Sequence, residues 1–143
     1  MNPRILMTFG AGAVLASVVA CGGGSDDEAG SSTALSIQPS SLTTTAAASA
    51  NGGPPPGNCQ SGFAGEIFIY GGAAPYQLDN SQPDIVVLNK TQVGDRGGSF
   101  TVSYASVSAS DATIGGCVAP GLIVVRDKLD KQVILTLNNK PAS

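Results

Sequence analysis

The sequence predicts an all-β domain of about seven strands packed as two sheets. From Thr33 onward, short apolar runs alternate with clusters of Gly, Pro, Asn and Asp at the spacing of strands and turns. No long stretch repeats its apolar residues at the helical period. Composition agrees: Val, Ile, Thr, Ser and Gly are plentiful and only 12% of residues are charged, and β-branched side chains suit a pleated, half-buried surface.

Residues 1–20 read as a removable secretory segment, with a basic start ending in Arg4 and an apolar run from Ile5 to Ala20. A membrane-spanning helix is the competing reading, but the run falls short of roughly 18 uninterrupted apolar residues and contains Thr8, Gly10, Gly12 and Ser17. The run closes in Leu15-Ala16-Ser17-Val18-Val19-Ala20-Cys21, which resembles the lipobox of bacterial lipoproteins. That resemblance implies cleavage before Cys21, acylation of its sulfur and amino group, and a protein held to the envelope membrane by several chains. A single acyl chain binds only marginally. Gly22 follows the cysteine and resembles the outer-membrane sorting pattern.

Residues 21–32 hold no large apolar side chain and read as a flexible tether, reaching on the order of 15–20 Å as a coil. Residues 33–143 are then one domain with one core. The whole chain carries 7 basic and 10 acidic residues. Asp26, Asp27 and Glu28 lie in the tether, so the domain itself is near neutral and lacks the basic footprint of a nucleic-acid partner.

Expected strands cover residues 34–38, 42–46, 63–70, 76–79, 84–89, 99–107, 122–126 and 132–138. Phe100, Val102 and Tyr104 alternate with hydroxyl residues, so one face is buried. Val133, Leu135 and Leu137 likewise share a face. Leu122-Ile123-Val124-Val125 is apolar throughout and predicts a mid-sheet strand covered on both sides. Asp127 to Lys131 is short enough for a hairpin connection. Residues 46–58, with Pro54 to Pro56, and residues 111–120 are long loops, of the kind that carry contacts on a rigid scaffold.

With Cys21 assigned to lipid, Cys59 and Cys117 remain in a compartment where disulfides persist. Pairing is the simplest arithmetic; two free thiols are the alternative.

The opening Leu35-Ser36-Ile37-Gln38-Pro39, the Gly71-Gly72-Ala73-Ala74-Pro75-Tyr76 turn and the closing hairpin from Leu122 to Leu137 resemble the bacterial immunoglobulin-like modules. If the first two runs form one split edge strand, the resemblance makes the third and seventh runs the second and sixth strands of such a module. Cys59 and Cys117 would then precede those two strands, so that a bridge ties the sheets at one end. The chain departs from antibody domains in having no Trp, and from common bacterial modules in lacking Gly in the last hairpin turn.

Catalytic chemistry finds little footing. The chain has no His, the usual base, and neither G-x-S-x-G nor S-x-x-K occurs. A carboxylate-only enzyme would need Glu66 and an Asp in one cleft. Zinc would have only the two paired cysteines, and a calcium site from Asp79, Asp84, Asp111, Asp127 and Asp130 has no supporting loop spacing. These acids read first as turn formers. Asn89-Lys90-Thr91 matches a glycosylation acceptor, read here as chance. Phe63, Phe68, Tyr70 and Tyr76 could form an aromatic platform, but core packing is the default for rings on strands.

The expectation is therefore a lipid-anchored, non-enzymatic structural or interaction module with no catalytic residues, metal or cofactor. Its partners would be the membrane, through Cys21, and an envelope or cell-surface protein. A carbohydrate- or cell-wall-binding module is the alternative, and would show exposed aromatics on one sheet face or loop.

Overall fold

The computed structural model describes residues 33–47 and 51–141. The secretory segment, the tether and Cys21 lie outside the described residues.

The strands are β1 (Ser36–Gln38), β2 (Ser41–Thr45), β3 (Cys59–Gln60), β4 (Gly62–Tyr70), β5 (Tyr76–Asn80), β6 (Val86–Leu88), β7 (Gln92–Val93), β8 (Ser99–Tyr104), β9 (Ile114–Gly115), β10 (Val118–Arg126) and β11 (Gln132–Lys140). One sheet has the order β1-β4-β8-β6, the second β2-β11-β10-β5-β7, and β3 and β9 pair as a two-stranded ribbon. The edge strand is split: β1 runs antiparallel to β4 in one sheet, and after Pro39 the chain joins the other as β2, parallel to β11. This is the strand order of an immunoglobulin-like sandwich.

The two inner faces meet in one core. Ile67, Ile69, Phe100 and Val102 from one sheet face Tyr76, Ile123, Val125, Leu135 and Leu137 from the other, all fully buried. Each large apolar side chain removed from water contributes about 1.5–3 kcal/mol before ordering costs are set against it. A methyl at Gly65 would come within 2.9 Å of a Leu42 methyl, so the missing side chain lets β2 lie close over β4.

Several expectations are corrected. β10 is central, between β11 and β5, but only one face is covered: Ile123 and Val125 are buried while Leu122 is exposed. Continuous apolarity therefore marked a central strand and not two-sided burial. β10 also begins earlier, at Val118, because a bulge between Val118 and Gly121 absorbs the Pro120 that breaks the sequence pattern. The run expected at residues 84–89 shortens to β6 because the amides of Ile85 and Val86 turn back to the Gln82 carbonyl. β8 ends at Tyr104, after which Ser106 bridges Gly115 and the Val107 amide reaches the Ile114 carbonyl.

At the end of the sandwich away from β3 and β9, Asp127 is buried at 4% exposure. Its Oδ1 accepts the amides of Leu129 at 2.8 Å and Lys131 at 2.9 Å. Its Oδ2 accepts the amide of Ala73 at 3.0 Å, so one carboxylate closes the last hairpin and joins it to the β4–β5 turn. In that turn a methyl on Gly71 would sit 2.2 Å from the Ala34 carbonyl oxygen at a φ of +66°, a position only glycine can fill. The hairpin itself lacks glycine, and Asp130 takes the left-handed conformation, at φ 60°, in its place.

Candidate functional site

The bridge Cys59–Cys117, with its Cα atoms 5.2 Å apart, excludes the two-free-thiol alternative. Around it β3 and β9 pair in the register Cys59 with Gly115 and Gln60 with Ile114. The Ser61 amide donates to the Thr113 carbonyl and the Ser61 hydroxyl to that of Ala112. Asn139, 1% exposed, sends its Nδ2 to the carbonyls of Gln60 and Gly116, both at 2.9 Å. The last strand is thus fastened to both halves of the ribbon, and the two long loops converge at one end.

Neither loop is an open strap at its base. In the first, the Ala46 amide bonds the Lys140 carbonyl, the Ala47 amide bonds Gln60 Oε1, and Pro54 is buried. The Asn58 amide and side-chain Nδ2 both reach the Pro55 carbonyl, which closes a turn against the bridge. The second, expected as a loop over residues 111–120, contains β9 and the start of β10. Asp111 Oδ1 accepts both the amide and the hydroxyl of Thr113 at 2.9 and 2.6 Å, and those two bonds hold its carboxyl below the usual range.

The larger departure lies on β4. Phe63, Phe68 and Tyr70 are 69%, 41% and 49% exposed, and only Tyr76 among the candidate platform rings is in the core. Phe68 pairs with Ser99, Glu66 with Thr101, and Phe63 with Ser103, which places all three aromatics on the outer face of the four-stranded sheet. By strict alternation Phe63 would share the inner face of Ile67 and Ile69. A bulge between Phe63 and Gly65 inserts one extra residue and turns Phe63 outward. Val87, 47% exposed, pairs with Ser103 from the other side, so Phe63 and Val87 flank one serine.

Polar groups separate these apolar ones. Ser99, Thr101 and Ser103 line β8 between the rings and β6, and the Ser99 hydroxyl donates to Glu66 Oε1 at 2.5 Å. No lysine or arginine lies on β1, β4, β6 or β8. The face is broad, neutral apart from one carboxylate, and built of rings and hydroxyls on a hydrogen-bonded frame.

The remaining candidate acids are dispersed. Asp79 meets Arg126 at 3.7 Å in an exposed pair, of a kind worth little to stability, and Asp84 is exposed before β6. Asp111, Asp127 and Asp130 shape turns, as described. Among the described residues, no group of three or more Cys, Asp or Glu side chains gathers to hold a metal ion. No family model, curated protein or solved structure matches the chain, so the site is read from its own geometry.

Proposed function

We propose that this chain is a non-enzymatic binding module of a bacterial envelope, held to the membrane by lipid on Cys21 and engaging an envelope or cell-surface partner through the outer face of β4. The observation that carries this reading is the exposure of Phe63, Phe68 and Tyr70 together on one rigid face. Solvent-facing rings that buy no core stability are a cost unless something covers them, and aromatic side chains supply large contact area at small entropic cost. The ends of the loops of residues 46–58 and 111–120 meet at the β3–β9 ribbon, next to the start of β4, and form a secondary contact region.

A glycan partner is the second reading, favoured by the same rings. Exposed aromatics on one sheet face are what a carbohydrate- or cell-wall-binding module presents. The flat apolar side of a sugar stacks on a ring while its hydroxyls bond groups such as Ser99, Thr101, Ser103 and Glu66.

One experiment tests both. Envelope extract and insoluble cell-wall polysaccharide are each incubated with the chain, with a Phe63→Ala/Phe68→Ala/Tyr70→Ala variant, and with a variant lacking residues 51–57. Capture of a protein that the aromatic variant loses and the loop variant keeps supports the first reading; co-sedimentation with polysaccharide in the same pattern supports the second. Equal recovery by all three overturns the β4 face as the site. For the anchor, a fatty-acid probe labels the chain and fails to label Cys21→Ser; labelling that survives the substitution contradicts lipid attachment.

A further inference from the structure

Among the described residues, the four sheet edges are unequal. β1 has three residues and stops at Pro39, and β7 has two. β6 also has three residues, and its outer edge is occupied at Val86, whose carbonyl accepts Asn80 Nδ2 at 2.7 Å and whose amide donates to the Gln82 carbonyl at 2.8 Å. β2, Ser-Leu-Thr-Thr-Thr, is the exception. It has five residues, no charge, no proline and no bulge within it, none of the devices that usually blunt an edge.

The register fixes which of its groups are free. The Thr136 amide bonds the Ser40 carbonyl and the Ala46 amide bonds the Lys140 carbonyl, and Ser41 to Thr45 run parallel to residues 136–140. Residues 40, 42, 44 and 46 therefore turn their backbone groups toward β11. By alternation, Ser41, Thr43 and Thr45 turn theirs away from the sheet. All three residues are exposed, and among the described residues no partner is found for those amides and carbonyls.

We propose that this edge pairs with the same edge of a second copy, antiparallel about Thr43. A two-fold axis at Thr43 sets Thr43 against Thr43 of the other copy and Ser41 against its Thr45, each a hydrogen-bonded pair that exchanges both amide–carbonyl bonds. The three free amides and three free carbonyls of each copy are all satisfied in that one register, and the facing side chains are hydroxyl pairs that favour strand pairing. No charge on either strand opposes it. The contact is isologous and closes on itself, so it yields dimers and not fibres. A five-residue edge buries far less than the roughly 1,200 Å² of a stable interface, so pairing is weak in dilute solution and strengthens when copies are concentrated on one surface. This inference is independent of the β4 reading.

Single cysteines placed in the full chain on a Cys21→Ser background test it, because Cys59 and Cys117 are already joined. Under mild oxidation Thr43→Cys gives a disulfide-linked dimer at several-fold higher yield than Ser41→Cys or Thr45→Cys alone, while a mixture of those two gives the crossed dimer. Equal yields at the three positions, as random collision or parallel pairing would produce, overturn the proposal, as does the absence of a Thr43→Cys dimer. Sedimentation of the Cys21→Ser chain at increasing concentration provides the second measure. Self-association is lost in Thr43→Lys, and association unchanged by that substitution contradicts the edge as its site.

Discussion

The two ends of the sandwich are closed by different chemistry. At the end that gathers the long loops, a disulfide between Cys59 and Cys117 and the buried amide of Asn139 hold β3, β9 and the last strand together. At the other, the Asp127 carboxylate accepts three backbone amides and ties the final hairpin to the turn after β4. One closure answers to redox potential and the other to pH. The aromatic face of β4 runs between them, with Phe63 beside the disulfide end and Tyr70 beside the carboxylate end.

Breaking the covalent end has the largest expected effect. Cys59→Ala/Cys117→Ala opens a loop spanning a separation of 58 residues, and chain entropy puts the loss at about 4 kcal/mol. Urea denaturation of the variant beside the parent measures it; a loss below about 1 kcal/mol would mean that the ribbon holds itself without the bridge.

The carboxylate end comes next. Asp127→Ala removes the acceptor of three amides, a buried one at Ala73 and two part-buried ones at Leu129 and Lys131, and a loss of about 2 kcal/mol is expected. Burial pushes this carboxyl up, yet the amides of Ala73, Lys131 and Leu129, with the charge of Lys131, outweigh it and hold its pKa below the usual range. A group depressed in the folded state stabilises fully above its unfolded value of about 3.9 and loses that contribution as pH falls through the folded value. Stability of the parent therefore drops below about pH 4, and the drop is smaller in Asp127→Asn. Parallel pH profiles for the two would contradict the assignment.

Smaller effects sharpen the contrast. The triple alanine variant at Phe63, Phe68 and Tyr70 shifts stability by only about 0.5 kcal/mol per site, as exposed positions do, while removing partner capture. A collapse of its melting temperature would show that the rings are structural. Asp130→Gly relieves a left-handed residue in the hairpin and is expected to raise stability by roughly 1 kcal/mol or less, read as a small rise in the thermal midpoint.

Much of the frame was legible in the chain. Alternation found β8 and β11, turn residues bounded β4 and β5, and cysteine arithmetic paired Cys59 with Cys117, because each signal is local or rests on the small number of thiols. What escaped were features fixed by neighbouring strands. The bulge that turns Phe63 outward breaks the period on which face assignment rests, and Gly-rich, Pro-containing stretches hid the ribbon of β3 and β9 and the first turn of pairing in β10. The aromatic face was visible only as a set of candidates, since exposure of a ring depends on which side of the sheet the other layer covers.

Hydroxyl-radical footprinting, with and without envelope extract, tests the central claim most directly. The account predicts that Phe63, Phe68 and Tyr70 react in the isolated chain while Tyr76, Phe100 and Tyr104 do not, and that envelope extract protects the first three alone. Protection of Phe63 before any partner is added, or equal reactivity of the three rings with and without extract, would contradict it.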